Sequence, residues 1–172
     1  MFDSYRIRLA RRKDLHRLPQ IERDAARRFA VFGMEEMVAG PGVPLQLLEQ
    51  RQSCGQLWVA LDREDDAVGF AVASVVDAHA HLDELDVALS HGRRGLGTRL
   101  VKAVCTWARS RNLQGVTLST MRTIPWNAPF YAQMGFEIVP EAELSQGLRR
   151  LRQLEALAGL PVAQRVIMRR CF

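Results

Sequence analysis

Apolar residues recur along this chain with two periods, and the switch between them lays out the elements in order. Leu15, Leu18, Ile21, Ala25 and Phe29 fall at helical spacing and predict a helix over residues 14–29. Pro19 lies inside that pattern, so the helix starts near it or kinks there. The Pro41–Pro44 stretch is a breaker, and a second helix follows over 45–51. Residues 5–10, 56–61, 67–76 and 80–89 read as strands, with a charged turn at 62–66 making a hairpin of the middle pair. A glycine-rich turn at 92–97 leads into a strong helix over 97–111. Leu100, Val101, Val104, Cys105, Trp107 and Ala108 mark its broad apolar face. A strand at 116–120, a short helix at 127–134 closed by Gly135, and a strand at 136–139 come next. A basic amphipathic helix over 141–157, weakened by Gly147, and a strand at 165–171 complete the order.

A run of antiparallel strands therefore precedes a strand–helix–strand unit whose two strands should be parallel. The expectation is an α/β fold: a mixed, mostly antiparallel central sheet of about seven strands with helices on both faces. No repeat or linker interrupts the pattern, so residues 1–172 are read as one domain.

Composition narrows the function. The apolar fraction of 48% and the charged fraction of 25% are those of a globular chain. No apolar run approaches a membrane span, and residues 1–10 show no leader pattern. Cys54, Cys105 and Cys171 are odd in number and form no CxxC pair. They suggest a reducing, cytoplasmic setting rather than a disulfide frame or zinc site. His16, His79, His81 and His91 lack ligand spacing, and no metal is expected. The net charge of +5 comes from 24 basic and 19 acidic residues spread along the chain, without a basic tail. That pattern favours a phosphate-rich small molecule over nucleic acid.

The segment joining the fourth strand to the long helix places such an anion. A strand-to-helix turn presents unpaired helix N–H groups and the positive end of the dipole. Gly95 and Gly97 let a phosphate approach the backbone, Arg93 and Arg94 add charge, Thr98 adds a hydroxyl, and Leu96 is counted with them in the cofactor-binding loop. Neither a Walker A loop nor a Rossmann fingerprint fits the spacing. The stretch resembles the acyl-CoA pyrophosphate loop of the GNAT superfamily, Gln/Arg-x-x-Gly-x-Gly/Ala. Gly95 and Gly97 match its small residues, whereas Gly92 stands where the family has Gln or Arg. Downstream, Asn127-x-x-Phe130-Tyr131-x-x-x-Gly135-Phe136 resembles a second segment of the same family, in a shorter form. Asn127 suits a helix cap, and Tyr131 lies one turn on.

The resemblance implies an acetyl-CoA-dependent N-acetyltransferase, with acetyl-CoA as co-substrate and a primary amine of a small molecule or peptide as acceptor. Direct attack would pass through a tetrahedral intermediate. It implies that Asn127 and Phe130 contact the cofactor, and that Tyr131 protonates the leaving thiolate. It also implies that the backbone of the fourth strand at Leu85 and Val87 pairs with the pantetheine arm. Asp83, Glu84 and Asp86 lie on that strand. Glu84 is the expected base, acting through water. Alternation puts Glu84 and Asp86 on one face and Asp83 on the other, and a bulge would reverse the choice. The acceptor pocket would come from residues 22–48, with Phe29, Phe32, Met34, Met37 and Glu22 as lining candidates; Glu22 would attract a cation there, but a solvated helix position is the preferred reading for it. A non-catalytic acyl-CoA sensor and a basic nucleic-acid-binding domain are the competing readings. A homodimer is compatible with either enzyme or sensor.

Overall fold

A computed structural model describes residues 5–172. Seven strands form one sheet in the order β1-β2-β3-β4-β5-β7-β6. They are β1 (Arg6–Leu9), β2 (Leu57–Leu61), β3 (Ala67–Val76), β4 (His79–Val87), β5 (Gly115–Met121), β6 (Glu137–Ile138) and β7 (Arg165–Cys171). The β1–β2, β2–β3, β5–β7 and β6–β7 pairs are antiparallel. The β4–β5 pair is parallel, with Ala80–Leu82 against Val116–Leu118. The predicted mixed, mostly antiparallel sheet is therefore present, including the parallel pair on either side of the long helix. Among the described residues no helix is long and apolar enough to cross a membrane.

Contacts divide the chain into two compact units. One runs to Ala73 and takes in Glu84–Val104; the other comprises Ser74–Asp83 and Cys105–Phe172. Strands β3 and β4 and the long helix α4 (Leu96–Ser110) each give residues to both.

In the first unit, Leu18, Ile21, Leu48, Val59, Leu61 and Phe70 belong to one buried cluster. The helix predicted over 14–29 is a composite. A 3-10 turn (Arg12–Arg17) leads into α1 (Leu18–Ala26), with Pro19 in its first turn, and a second 3-10 turn (Arg27–Phe32) follows. Proline in a first turn loses no helical hydrogen bond, which fixes where the α-helix begins. Asp14, buried, accepts from the Arg11 N–H (2.6 Å) and from both terminal nitrogens of Arg8 (2.7 and 3.1 Å), which satisfies its charge. A one-turn helix, α2 (Glu35–Val38), has no apolar period and was not predicted; α3 spans Leu45–Ser53.

In the second unit, α5 (Ala128–Ala132) and α6 (Gln146–Leu157) join the sheet strands. The helix expected over 141–157 is shorter than predicted. Glu141–Glu143 is a separate 3-10 turn, and Ser145 caps α6 by accepting from the Leu148 N–H (3.3 Å). Gly147 has a reason to lack a side chain, since a Cβ there would lie 2.6 Å from a carboxylate oxygen of Asp77.

His81 is buried in β4 beside Thr117 of β5. The Thr117 hydroxyl donates to the Ala80 carbonyl (3.3 Å), so His81 Nδ1–H donates to Thr117 Oγ1 (2.9 Å). Burial, and then the charge of Arg165, push the imidazole down to about 4. The unfolded chain takes up this proton near pH 6.5, whereas the native chain does not. Stability is therefore lost as pH falls from about 6.5 toward 4, by about 2 kcal/mol at pH 5. Urea unfolding at neutral and mildly acidic pH should show wild type losing that much more than His81→Gln. Equal losses in the two proteins would refute the assignment.

Candidate functional site

The candidate residues fall into two groups, one in each unit, and each is described by itself. In the first unit, β4 ends at Val87, a 3-10 turn covers Leu89–His91, and α4 begins at Leu96. The turn between them bends through two left-handed residues, Arg93 (φ 57°) and Gly95 (φ 75°). A Cβ at Gly95 would meet nothing within 4 Å, so the space over this backbone is open. The first helical hydrogen bond runs from Arg99 N–H to the Gly95 carbonyl (3.1 Å). The amides of Leu96, Gly97 and Thr98 therefore precede the hydrogen-bonded ladder and point out of the helix start.

The side chains around the turn have separate tasks. Leu96 is buried, so only its amide serves the turn; Thr98 is half-buried, and Arg93 and Arg94 are exposed. Arg94 lies over the Tyr5 ring, 5.9 Å from its centroid. The Tyr5 hydroxyl bonds His91 Nδ1 (2.9 Å), and Arg99 donates to the Tyr5 carbonyl (2.8 Å). Tyr5 thus braces both ends of the turn. Sequence reasoning missed it, because its spacing from the loop of more than eighty residues leaves no local signal.

Along β4, pairing with β5 ends at Leu82, and Leu85 and Val87 lie beyond that ladder. Asp83 is exposed and accepts from Ser74 Oγ (2.9 Å). Glu84 and Asp86 lie on the other face, as alternation predicts. There they meet Glu22 of α1: one carboxylate oxygen from each residue lies within 4.8 Å of the others. Glu22 is thereby corrected from a solvated helix position to a half-buried one. Both its oxygens accept from the Val43 N–H (3.0 Å each), and Gly42 (φ 72°) leaves room that a Cβ would take from the carboxylate.

Burial sets the electrostatics of this group. It holds the Glu22 carboxyl above its usual range, against the Val43 N–H and the charge of Arg23. Asp86 is pushed well above the usual carboxylate range by burial first, then by the negative charges of Glu84 and Glu22, with Arg28 opposing. Its Oδ2 is shut off from solvent and has no hydrogen-bond partner. Three carboxylates held this close share fewer than three charges.

In the second unit, Asn127 occupies the residue before α5 but does not cap it through its side chain. Its Nδ2 donates to Thr120 Oγ1 of β5 (2.7 Å), which corrects the expected cap: the stronger partner lies across the turn. The amide oxygen is thereby left buried and without a partner. Tyr131 is buried, with Phe130 and Phe136 rings edge-on to it at 5.1 and 5.8 Å. Gly135 (φ 82°) ends the segment, and Phe136 N–H donates back to the Tyr131 carbonyl (3.2 Å).

Solved structures share this fold at low sequence identity. The PaiA N-acetyltransferase of Thermoplasma acidophilum, in complex with coenzyme A, is 16% identical with a TM-score of 0.74, covering 98% of this chain and 99% of that one. The N-acetylglutamate synthase of Neisseria gonorrhoeae, complexed with coenzyme A and N-acetyl-glutamate, is 18% identical with a TM-score of 0.71, over 97% of this chain and 35% of that one. A curated relative, the uncharacterized N-acetyltransferase YobR of Bacillus subtilis (strain 168), is 23% identical over 95 residues. That match takes in 55% of this chain and 38% of the relative, so this chain spans well under half of the relative's length. The pattern of the acetyltransferase (GNAT) family matches residues 15–136, a stretch that includes both the glycine turn and the Asn127–Phe136 segment. With that match over more than half its length, the chain belongs to the GNAT acetyltransferase family.

Proposed function

We propose that this chain is an N-acetyltransferase that moves an acetyl group from acetyl-CoA to a primary amine by direct attack through a tetrahedral intermediate. The observation that carries the reading is the open left-handed turn at Gly95, at the head of a fifteen-residue helix whose first amides precede its ladder. An N-terminus of that kind suits a pyrophosphate. Asn127 Oδ1, a buried acceptor without a partner, suits an amide N–H of the pantetheine arm. Leu85 and Val87, beyond the β4–β5 ladder, suit main-chain pairing with the same arm, and one of their N–H groups would polarise the acetyl carbonyl. Phe130 would pack beside the arm.

The chemistry then divides between two side chains. Glu84 accepts the proton of the incoming amine, through water, and Asp86 keeps its own proton and leaves Glu84 as the ionised partner. Tyr131 gives its phenolic proton to the departing thiolate.

Acetyl-CoA should stabilise the fold, by about 2.7 kcal/mol at one hundred times its dissociation constant. Gly95→Asp should raise that constant more than about tenfold. Aspartate tolerates a left-handed backbone better than most residues, so the loss reflects charge beside the phosphates rather than strain. Gly95→Asn, equal in shape and uncharged, should lose much less. Thermal shift and calorimetry measure both variants, and thiol release over pooled amines tests turnover. Absence of acetyl-CoA binding would overturn the reading; binding without turnover on any amine would leave a sensor.

A further inference from the structure

We infer that Tyr5 is a positioning residue for the cofactor phosphates: it sets the glycine turn and the guanidinium of Arg94 before acetyl-CoA arrives, so that phosphate affinity depends on Arg94 more than on Arg93. The inference rests on the acetyltransferase reading and deepens its phosphate site.

The backbone of the turn needs support. Arg93 stands at φ 57°, a left-handed conformation that disfavours a residue with a side chain. Gly95, at φ 75°, takes the same region without that penalty. A strained residue other than glycine persists where its surroundings over-determine it. Here the segments on either side of Arg93 are both tied to Tyr5. His91, the last residue of the 3-10 turn, bonds the Tyr5 hydroxyl through Nδ1 (2.9 Å), with its ring edge-on at 5.8 Å. Arg99, in the first turn of α4, donates to the Tyr5 carbonyl (2.8 Å). Between them Arg94 lies over the Tyr5 ring, its Cζ 5.9 Å from the centroid. The entry to the turn is held separately, by the Leu89 N–H donating to Asp24 Oδ2 of α1 (2.8 Å). Changes at Tyr5 therefore leave that entry in place.

Each contact uses a different part of Tyr5, and substitution separates them. The hydroxyl serves His91, the ring serves Arg94, and the carbonyl serves Arg99. Tyr5→Phe removes the first alone. Tyr5→Leu removes the first and second and keeps the third.

The ring contact ranks the two arginines. Both are exposed, so exposure does not distinguish them. A guanidinium held against an aromatic face keeps its in-plane N–H donors for a second partner. Beside the amides of Leu96, Gly97 and Thr98 that partner is a phosphate oxygen, and a planar fork can give a phosphate two parallel bonds. Ordering a long side chain opposes binding, and for Arg94 the ring has done part of that ordering in the free protein. Arg93 contributes its charge from the strained position, where solvent and salt weaken it.

The test is a double-mutant cycle on the full chain, read as acetyl-CoA dissociation constants by calorimetry. Arg94→Ala and Tyr5→Leu should each raise the constant about tenfold, and Tyr5→Phe about threefold. Arg93→Ala should raise it by no more than about threefold, the loss of one screened charge. In the Tyr5→Leu background Arg94→Ala should add only about threefold, a coupling of about threefold between ring and guanidinium. Tyr5→Leu should raise KM for acetyl-CoA and hold kcat within about twofold, since the contacts described for Tyr5 lie at the turn. A Tyr5 that only supports the fold gives another pattern: the ligand-free chain melts lower, and Arg94→Ala has the same effect with and without the ring. That pattern would overturn the inference. So would equal losses from Arg93→Ala and Arg94→Ala, or a Tyr5→Leu defect in kcat with KM unchanged. Should Tyr5→Leu fail to fold, Tyr5→Phe and the two arginine variants decide, and wild-type affinity in Tyr5→Phe overturns the inference. Wild type that binds no acetyl-CoA fails the acetyltransferase reading itself. Wild type that binds it, in a cycle without coupling, fails this inference alone.

Discussion

Tyr131→Phe is expected to lower turnover roughly 10- to 1000-fold, the effect of losing a positioned acid, while the dissociation constant for acetyl-CoA moves less than about threefold. The ring of Tyr131 is buried beside Phe130 and Phe136, and phenylalanine keeps that packing. The main-chain bonds that close the segment, Phe136 N–H and Met134 N–H to the Tyr131 carbonyl, do not involve the side chain. The fold around α5 should therefore survive, and only a hydroxyl is lost. If that hydroxyl gives its proton to the leaving thiolate, the defect falls on kcat and not on cofactor binding. Single-turnover rates and calorimetric affinities separate the two. Unchanged turnover would return Tyr131 to a packing role.

Much of this architecture follows from local pattern. The apolar face of α4 and the strands on either side of it are continuous, so periodicity and the handedness of crossover connections place the parallel β4–β5 pair without any tertiary knowledge. The glycine turn was legible because Gly95 sits where a left-handed backbone is needed. What stayed hidden depends on partners distant in the chain. Glu22 reads in the sequence as a solvated position on α1 first, and only second as a lining residue of the acceptor pocket. It becomes part of a site only because a loop twenty residues on turns at Gly42 and offers the Val43 N–H. Asn127 has the identity and place of a cap, yet Thr120 competes for its amide, and no local rule ranks those partners. The two-residue β6 fell short of its four-residue prediction because its exposed residues make only an edge pairing with β7. Helix α2 and the brace at Tyr5 carry no periodic signal at all.

Glu84→Gln is expected to cut turnover and to make it climb with pH where wild type has levelled off. Glutamine keeps the size and polarity of the side chain and cannot accept the proton of an incoming ammonium. The variant then depends on amine that is already neutral in solution. Below the amine pKa that fraction grows about tenfold per pH unit, so alkaline buffer should recover part of the loss. Acetyl-CoA affinity should hardly change, because the proposed contacts of β4 with the cofactor come from its backbone. Two neighbours make the comparison informative. Asp83 is exposed on the opposite face and bonded by Ser74, so Asp83→Asn should leave the pH profile of wild type intact. Asp86 shares the carboxylate group with Glu84 and is held protonated by burial and by the charge beside it. Asp86→Asn should therefore act on KM for the amine rather than reproduce the alkaline rescue of turnover. The profiles of kcat and kcat/KM for the three variants, taken with one amine at saturating acetyl-CoA, distinguish these outcomes. A rescued defect in Asp83→Asn with none in Glu84→Gln would mean that the wrong face was assigned. A rescued defect in Asp86→Asn alone would move the proton acceptor two residues along the strand. If all three variants keep the wild-type profile, the amine arrives neutral or loses its proton to water, and β4 contributes only its main chain.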